Sequence, residues 1–231
     1  MAIELFKYPT LFNDANLKAY YRFNSGALTT DSGPDGVTLT NNNTVGEATG
    51  KFGIGADGGA TNTNKSLSTS NTLGIDGGSI TISHWIKLNT EIASSLWFFV
   101  FQGNNTSKVS YQMRYEYNGG TRRMLFNRGR LSISDDAVIQ NIALGTSNWH
   151  HLVLTYDGTN VRGYIDGSLV GTTASSGNGS GTQVVGTYVL GPEFYPSAII
   201  DDLSIFNRAL TGDEILNYYK SGNTGYFFNF F

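Results

Sequence analysis

Residues 148–172 have the sequence NWHHLVLTYDGTNVRGYIDGSLVGT. Strand-forming runs extend from Trp149 to Tyr156, from Val161 to Asp166 and from Ser168 to Thr173, and short turns that contain Asp and Gly separate them. Turns of this composition join antiparallel neighbours in β-hairpins, because Asp and Gly accept the backbone conformations that tight turns need. The stretch therefore predicts two successive hairpins that together form a meander.

A second strand is predicted at residues 79–88, SITISHWIKL, where apolar and other residues alternate. Side chains of a strand point alternately to its two faces, so Ile80, Ile82, His84 and Ile86 share one face. We expect that face to be buried and His84 to be a hydrogen-bonded core histidine.

One helix is predicted near the C-terminus, at about residues 212–220. Thr211 and Glu214 have the spacing of a capping box, and Gly222 is a suitable C-terminal stop. Elsewhere the chain contains many short strands separated by runs of Gly, Asn and Ser. About 12 to 14 strands and one short helix are typical of an all-β, antiparallel two-sheet jelly-roll sandwich.

The composition excludes several classes of protein. The 231 residues include 29 Gly, 4 Pro and no Cys, which excludes disulfides and thiolate metal sites. The net charge of −3 lacks the basic excess typical of a nucleic-acid-binding protein. No apolar stretch approaches the ~20 residues of a membrane helix, and the first residues lack the pattern of a secretory signal.

We expect one domain over residues 1–231, with an N-terminal arm (1–15) and an aromatic C-terminal tail (223–231).

Several segments resemble the laminin-G-like jelly rolls of the concanavalin A-like lectin and glucanase superfamily. The resemblance is strongest in the Trp-His-His, Tyr-Asp-Gly and Ile-Asp-Gly motifs of the meander and in the Ile-Asp-Asp and Asn-Arg-Ala-Leu motifs that precede the helix. It implies a concanavalin A-like fold but leaves the function open, because this fold carries lectins, glycosidases, lyases, adhesion modules and virion proteins. The segments are 16–24, 31–36, 79–88, 148–172 and 200–219.

Catalysis is not expected. A glycosidase needs two carboxylates about 5–9.5 Å apart, and the glutamates of this chain are scattered singly. Glu116 is the one that falls in a suitable strand, and a lone glutamate there is expected to be a solvated strand residue. Adjacent residues His150 and His151 point to opposite faces of a strand, so they cannot share one metal through it. A degenerate glycosidase or polysaccharide lyase is the less favoured alternative.

The resemblance also implies a structural Ca²⁺ ion where the first and last strands meet. Relatives of this fold hold it with an acidic residue that opens the last strand, a residue near the first strand and a glycine loop. In this sequence those positions are Asp201, Asn24, and Asp57 with Gly58. Asn24 replaces an acidic residue and therefore lowers the charge of the ligand set.

The most suitable residues for binding a sugar lie in the segment 95–128. Aromatic rings stack on the C–H faces of sugars, and planar amides or Arg side chains bind pairs of hydroxyl groups. Tyr111, Tyr115 and Tyr117 share one face of a strand and Arg114 and Glu116 the other, so one of these sets must be core. The candidate ligand-binding residues are Trp97, Tyr111, Arg114, Tyr115, Glu116, Tyr117 and Arg123.

The sequence and its resemblance leave two functions from different classes. The first is a non-catalytic binding or adhesion module that recognises carbohydrate on a bacterial or virus-particle surface. The alternative is a structural virion protein, such as a phage capsid decoration or fibre protein, that binds other protein chains. The segment Tyr226–Phe231 supports the alternative, because five of its six residues are aromatic and need to be buried, and we expect an oligomer or assembly contact to bury them. Both functions place the protein outside the cell, on a cell surface or on a virion.

Overall fold

The computed structural model of the chain describes residues 9–59, 65–71, 73, 75, 78–93, 96–104, 108–128, 137–175, 188–190 and 197–223. Two antiparallel sheets pack face to face in it. The helices are α1 (Pro9–Phe12) and α2 (Gly212–Asn223). The strands are β1 (Leu17–Tyr21), β2 (Thr40–Asn42), β3 (Gly46–Thr49), β4 (Ile54–Asp57), β5 (Ser66–Thr69), β6 (Ile80–Leu88), β7 (Leu96–Asn104), β8 (Lys108–Asn118), β9 (Thr121–Arg128), β10 (Ala137–Asn141), β11 (His150–Tyr156), β12 (Asn160–Ile165), β13 (Ser168–Ala174), β14 (Tyr188–Leu190) and β15 (Ala198–Phe206).

The first sheet has the strand order β13-β12-β11-β6-β15-β4-β3, and β1 also pairs with β15. The second sheet has the order β10-β9-β8-β7-β14-β5-β2. The predicted meander is confirmed as β11, β12 and β13, which are neighbours in the first sheet. The jelly-roll sandwich is confirmed as well, and the described residues form fifteen strands.

Strand β6 is buried on both faces, whereas the sequence predicted one buried face. Ile82 and Ile86 lie in the core between the sheets, as expected from their alternation. The opposite face carries Trp85, which is completely buried and stacks on Tyr219 of α2, with 5.7 Å between the ring centroids. The helix therefore covers the outer face of the first sheet, and a strand in the middle of that sheet meets an apolar environment on each side.

Helix α2 begins as predicted and ends later. Glu214 N–H donates to Thr211 Oγ1 at 3.2 Å and Thr211 N–H donates to Glu214 Oε2 at 2.7 Å, which confirms the capping box. The helix continues to Asn223 instead of stopping before Gly222. A Cβ atom on Gly222 would lie 2.5 Å from Cζ2 of Trp85, so glycine allows the helix to approach the sheet closely.

A β-bulge interrupts β15 at Asp201 and Asp202. Asp202 has a φ of 54°, in the left-handed region that Asp tolerates better than most residues. Its Oδ1 accepts a hydrogen bond from the hydroxyl of Tyr20 in β1, and its Oδ2 accepts one from the hydroxyl of Tyr218 in α2 at 2.6 Å. Burial raises the pKa of Asp202, and these two hydroxyl donors partly oppose the shift. One side chain thus joins β15 to β1 and to α2.

The ends of the chain are described in part. Leu11 of α1 is buried in the same apolar cluster as Tyr218, and Arg208 pairs with Asp14 at 2.5 Å. The segment Tyr226–Phe231 lies outside the described residues, so its role in assembly stays a prediction. No helix in the described part of the chain is both long enough and apolar enough to span a membrane.

The capping box gives a first prediction. Thr211→Ala removes the hydroxyl that accepts from the N–H of Glu214 and is expected to lower the free energy of unfolding by about 1 kcal/mol. Urea unfolding followed by circular dichroism measures this. Thr38→Ala, at an exposed loop position, is the control and should change stability little. Equal stability of the two variants would contradict the role of the cap.

The bulge gives a second prediction. Asp202→Ala leaves two buried tyrosine hydroxyls without their acceptor, at a cost of about 1–3 kcal/mol for each. Asp202→Asn keeps one acceptor oxygen and a residue that tolerates positive φ, so it should cost less than the alanine variant. Chemical unfolding of the two variants beside the wild type tests this order. An alanine variant as stable as the asparagine variant would show that the two hydrogen bonds do not stabilise the fold.

Candidate binding face

The outer face of the second sheet carries a cluster of polar side chains, here called the polar row: Gln112, Arg114, Glu116, Arg123 and Asn127. It follows from the alternation of β8 and β9. Tyr111, Met113 and Tyr115 of β8 and Met124 and Phe126 of β9 point into the core, so the residues between them point outward.

The strand register places the members of the polar row side by side. Gln112 lies opposite Asn127, Glu116 lies opposite Arg123, and Arg114 lies opposite Leu125. Four members are nearly inaccessible, with exposures of 0% for Gln112 and Asn127, 3% for Arg114 and 5% for Glu116. A polar cluster on an outer face is usually solvated, so its burial is unusual and needs an explanation.

Glu116 is held between two arginines. Its Oε2 lies 3.1 Å from Nη2 of Arg114, and its Oε1 pairs with the guanidinium of Arg123. The sequence suggested a solvated glutamate, and the structure corrects this, because the carboxylate is buried and paired on both sides. Both oxygens contact guanidinium groups, so neither is directed toward a substrate for proton transfer.

Gln112 differs from its neighbours, because neither Oε1 nor Nε2 of its amide has a hydrogen-bond partner in the described structure. A buried amide without partners costs about 1–3 kcal/mol. Native proteins pair nearly all such groups, and exceptions call for a reason such as a missing ligand or ion.

The polar row becomes accessible toward β10, the edge strand of the second sheet. Ile139 and Asn141 are exposed there, and the register places them opposite Leu125 and Arg123. The side chain of Arg123 is 19% exposed. A ligand that approaches over β10 therefore meets an apolar side chain and an amide first, and then the arginine.

The tyrosines predicted to bind a ligand lie elsewhere. Tyr111 and Tyr115 are completely buried in the core, and their hydroxyls donate to Gly78 O at 3.0 Å and to Glu91 Oε1 at 2.7 Å. Tyr117 packs against the same core. The predictions for Tyr111 and Tyr115 are corrected, because a ring enclosed between the sheets has no face to offer a sugar, whereas Tyr117 is half-buried. The side chain of Trp97 lies outside the described residues.

Of the candidates predicted from the sequence, the structure brings together Arg114, Glu116 and Arg123. Gln112 and Asn127 were missing from that set. The alternation of β8 contains the signal for Gln112, because this residue shares the face of Arg114 and Glu116. The pairing of Asn127 with Gln112 depends on the register of β9, which alternation does not give.

The histidines are structural in this arrangement. His84 is buried as predicted, but neither ring nitrogen has a hydrogen-bond partner in the described structure, and the expected hydrogen bond is corrected. His151 is also buried, with Nε2 2.7 Å from Oγ of Ser83. His150 contacts Asp166 Oδ2 through Nδ1 at 2.8 Å, and this contact raises its pKa.

The residues expected to hold Ca²⁺ are engaged in other contacts. Asp201 Oδ2 accepts from the N–H of Phe52 at 2.8 Å, and its Oδ1 accepts from the N–H of Asp202 at 2.8 Å. Burial raises the pKa of Asp201 to about 8; the Phe52 N–H opposes this shift and the charge of Asp202 adds to it. Both carboxylate oxygens of Asp201 therefore accept backbone N–H donors in this structure.

The other three expected ligand positions also form hydrogen bonds within the chain. Asp57 Oδ1 accepts from Gly59 N–H at 2.9 Å, Gly58 N–H donates to Ala198 O at 3.1 Å, and Asn24 is exposed. In the described ranges no group of three or more His, Asp or Glu side chains is placed to hold a metal ion. Calcium binding stays an untested prediction.

Comparison with known proteins agrees with the fold. The model of the concanavalin A-like lectin/glucanases superfamily matches residues 57–216. No curated protein sequence matches the chain significantly.

Several solved structures share the fold. A structure of botulinum neurotoxin type C, which interacts with two ganglioside molecules, superimposes with a TM-score of 0.71 at 16% identity over 93% of this chain and 53% of that one. Domain 4 of an extracellular arabinanase from Geobacillus stearothermophilus, solved with arabinotriose, has a TM-score of 0.63 at 19% identity over 87% of this chain and 97% of that one. The binding domain of Paraclostridial Mosquitocidal Protein 1 gives 0.65 at 14% identity, over 89% of this chain and 52% of that one. The chain thus spans about half the length of the toxin chains and nearly all of the arabinanase domain.

The buried histidine His84 gives a prediction on pH. Burial lowers its pKa to about 3 from an ordinary value of 6.5, and the nearby His151 adds to the shift. Below pH 6.5 the unfolded chain takes up a proton at His84 and the folded chain does not, so the stability due to this residue falls as the pH falls toward 3. His84→Leu should therefore reduce the acid-induced loss by up to about 1.4 kcal/mol per pH unit.

The measurement is urea unfolding of His84→Leu and wild type at several pH values between 4 and 7. Leu154→Val, a core change in β11 without a titratable group, is the control and should shift stability equally at each pH. If His84→Leu and the wild type lose stability in parallel as the pH falls, His84 is not the source of the slope.

Proposed function

Since the chain belongs to the concanavalin A-like lectin/glucanases superfamily, we propose that it is a non-catalytic module that binds carbohydrate through the polar row. The observation that carries this proposal is the amide of Gln112, which lies on the outer face of the second sheet without a hydrogen-bond partner. Because the chain itself covers this amide completely, a ligand reaches it only when the covering groups move. A hydroxyl-rich ligand supplies both a donor and an acceptor, which are the two groups that a planar amide lacks here.

The remaining members of the polar row fit the same ligand. Asn127 adds a second amide opposite Gln112, and Arg123 presents a planar set of N–H donors that is partly exposed. Glu116 holds Arg114 and Arg123 in place, so their donors are oriented before a ligand arrives. Orientation in advance reduces the entropy that binding costs.

The apolar part of the face suits the C–H surface of a sugar ring. Ile139 is 40% exposed and lies opposite the buried Leu125, which lies opposite Arg114. A sugar that rests its C–H face on Ile139 places its hydroxyl groups toward the amides and the arginine. Binding sites of this kind combine an apolar surface with a small number of directed polar groups.

The same contacts favour binding over catalysis, because the carboxylate of the polar row is paired with two arginines. We also place the protein outside the cell, on a cell surface or on a virion, where a carbohydrate-binding module meets its ligands. The fold neighbours solved as binding domains, and the arabinanase domain solved with arabinotriose, support this proposal.

A variant of Gln112 separates binding from folding. Gln112→Leu removes an unpartnered amide and keeps a side chain of similar size, so the free energy of unfolding should be unchanged or higher. Its affinity for carbohydrate should fall about tenfold, since one lost hydrogen-bonding group is worth about 1.4 kcal/mol. A glycan array selects the ligand of the wild type, with arabinotriose and ganglioside oligosaccharides included, and isothermal titration calorimetry measures the affinity.

Gln140→Leu is the matched control. It makes the same substitution in β10 at a residue that shares the face of the core residue Val138, and it should leave affinity unchanged. Two results would reject the proposal: a wild type that binds no glycan on the array, or a Gln112→Leu variant that binds as tightly as the wild type.

A further inference from the structure

In the described part of the chain the two sheets have five edge strands. One of them, β1, pairs with β15 on the same side as β4, and the other four fall into two pairs of different character. On one side of the sandwich lie β3, which carries Glu47, and β2, which has three residues. On the other side lie β13 and β10, which contain no charged residue and no proline. Natural proteins protect exposed edges with charges, prolines, bulges or very short strands. Of these protections β13 has a bulge, at Val170, but neither charges nor prolines, and β10 has none of them.

The β13 edge is the longer of these two. Six of the seven residues Ser168–Ala174 pair with β12, the bulged Val170 being the exception, and in the described part of the chain the strand pairs with no other strand. Four of their side chains are exposed, and Leu169 is 54% exposed. The strand thus offers backbone N–H and C=O groups along about 23 Å, at 3.3 Å per residue.

The β10 edge lies directly beside the β13 edge. Thr173 Oγ1 donates to Ala137 O at 3.0 Å, and a Cβ atom on Gly171 would lie 2.7 Å from Cγ1 of Val138. Both sheets therefore end on the same side of the molecule. A single peptide strand could cover one of the edges, but a second sandwich presents an edge to each sheet at once.

We propose that this side of the sandwich binds a second copy of the chain, with β13 pairing antiparallel to β13 of the copy. Two antiparallel copies of one strand are related by a two-fold axis perpendicular to the sheet, so the arrangement is closed and gives a dimer. The pairing brings no like charges together, because Ser168–Ala174 carries none. It also continues the first sheet from one protomer into the other.

The symmetry has a consequence for binding, which rests on the proposed function. A two-fold axis perpendicular to the sheet leaves the second sheets of both protomers on the same side of the dimer. Each protomer has β10, the accessible margin of its polar row, next to β13. Two polar rows on one side can bind one glycan-bearing surface together, which raises the avidity without a new contact.

The test measures the mass of the full chain by sedimentation velocity between about 1 and 100 μM, a range that brackets the dissociation constants of weak dimers. The wild type should approach twice the protomer mass of 25.0 kDa as the concentration rises. Thr172→Lys places a charge at an exposed position of the β13 edge and should weaken the dimer about tenfold or more. Hydrogen exchange at residues 168–174 should slow with increasing wild-type concentration.

Thr40→Lys is the matched control, because it makes the same substitution at an exposed position of the edge strand β2 on the opposite side, and it should dimerise like the wild type. Leu169→Lys is a second edge variant that keeps the test valid if Thr172→Lys does not fold, which circular dichroism checks. A wild type that stays monomeric to the highest concentration, or a dimer that both edge variants leave intact, would overturn the proposal. Neither result depends on glycan binding, so this inference and the proposed function fail separately.

Discussion

The bulge at Asp201 and Asp202 in β15 is the constraint on which the first sheet depends. One edge of β15 pairs with β6, and the other edge pairs with two strands in turn. Ile199 and Ile200 pair with β4, whereas the residues from Leu203 onward pair with β1. The bulge lies at the change of partner. Both acids use it to reach donors outside β15, because Asp201 accepts from the N–H of Phe52 beside β4 and Asp202 accepts from hydroxyls of β1 and α2.

Helix α2 and the binding face are linked through this constraint. Because Asp202 and Trp85 hold α2 on the outer face of the first sheet, that face is closed by the chain itself. The outer face of the second sheet carries the polar row instead. The sandwich therefore has one outer face that is covered by the apolar side of a helix and one that carries polar residues. The difference between the two faces is set by residues whose partners are far away in the sequence.

The parts of the fold that local chemistry decides were predictable. The hairpins of residues 148–172 follow from alternation and from turns within the same stretch, and the start of α2 follows from a capping box of four residues. Contacts between distant segments decide the rest. Alternation separates Tyr111 and Tyr115 from Arg114, but it cannot tell which of the two faces is the core, so the predicted binding residues included both faces. Gly222 favours the end of an isolated helix. In the folded chain the helix continues past Gly222, which has no Cβ and therefore allows the close approach to Trp85.

The contrast between Gln112 and His84 explains why a missing hydrogen bond points to a ligand in one case and not in the other. Both side chains are completely buried, and both lack a partner in the described structure. His84 shares the face of Ile82 and Ile86 and packs against Phe99 between the sheets, with 6.2 Å between the ring centroids, where no ligand can reach it. The free-energy cost of burying its unpaired ring is a property of the fold, and this cost increases as the pH falls. Gln112 lies on an outer face whose margin at β10 is accessible, and its neighbours are amides and arginines. Once the groups that cover it move, an unpaired group in such surroundings can gain its hydrogen bonds from a molecule that arrives from outside, and the fold loses nothing if it is replaced by an apolar residue.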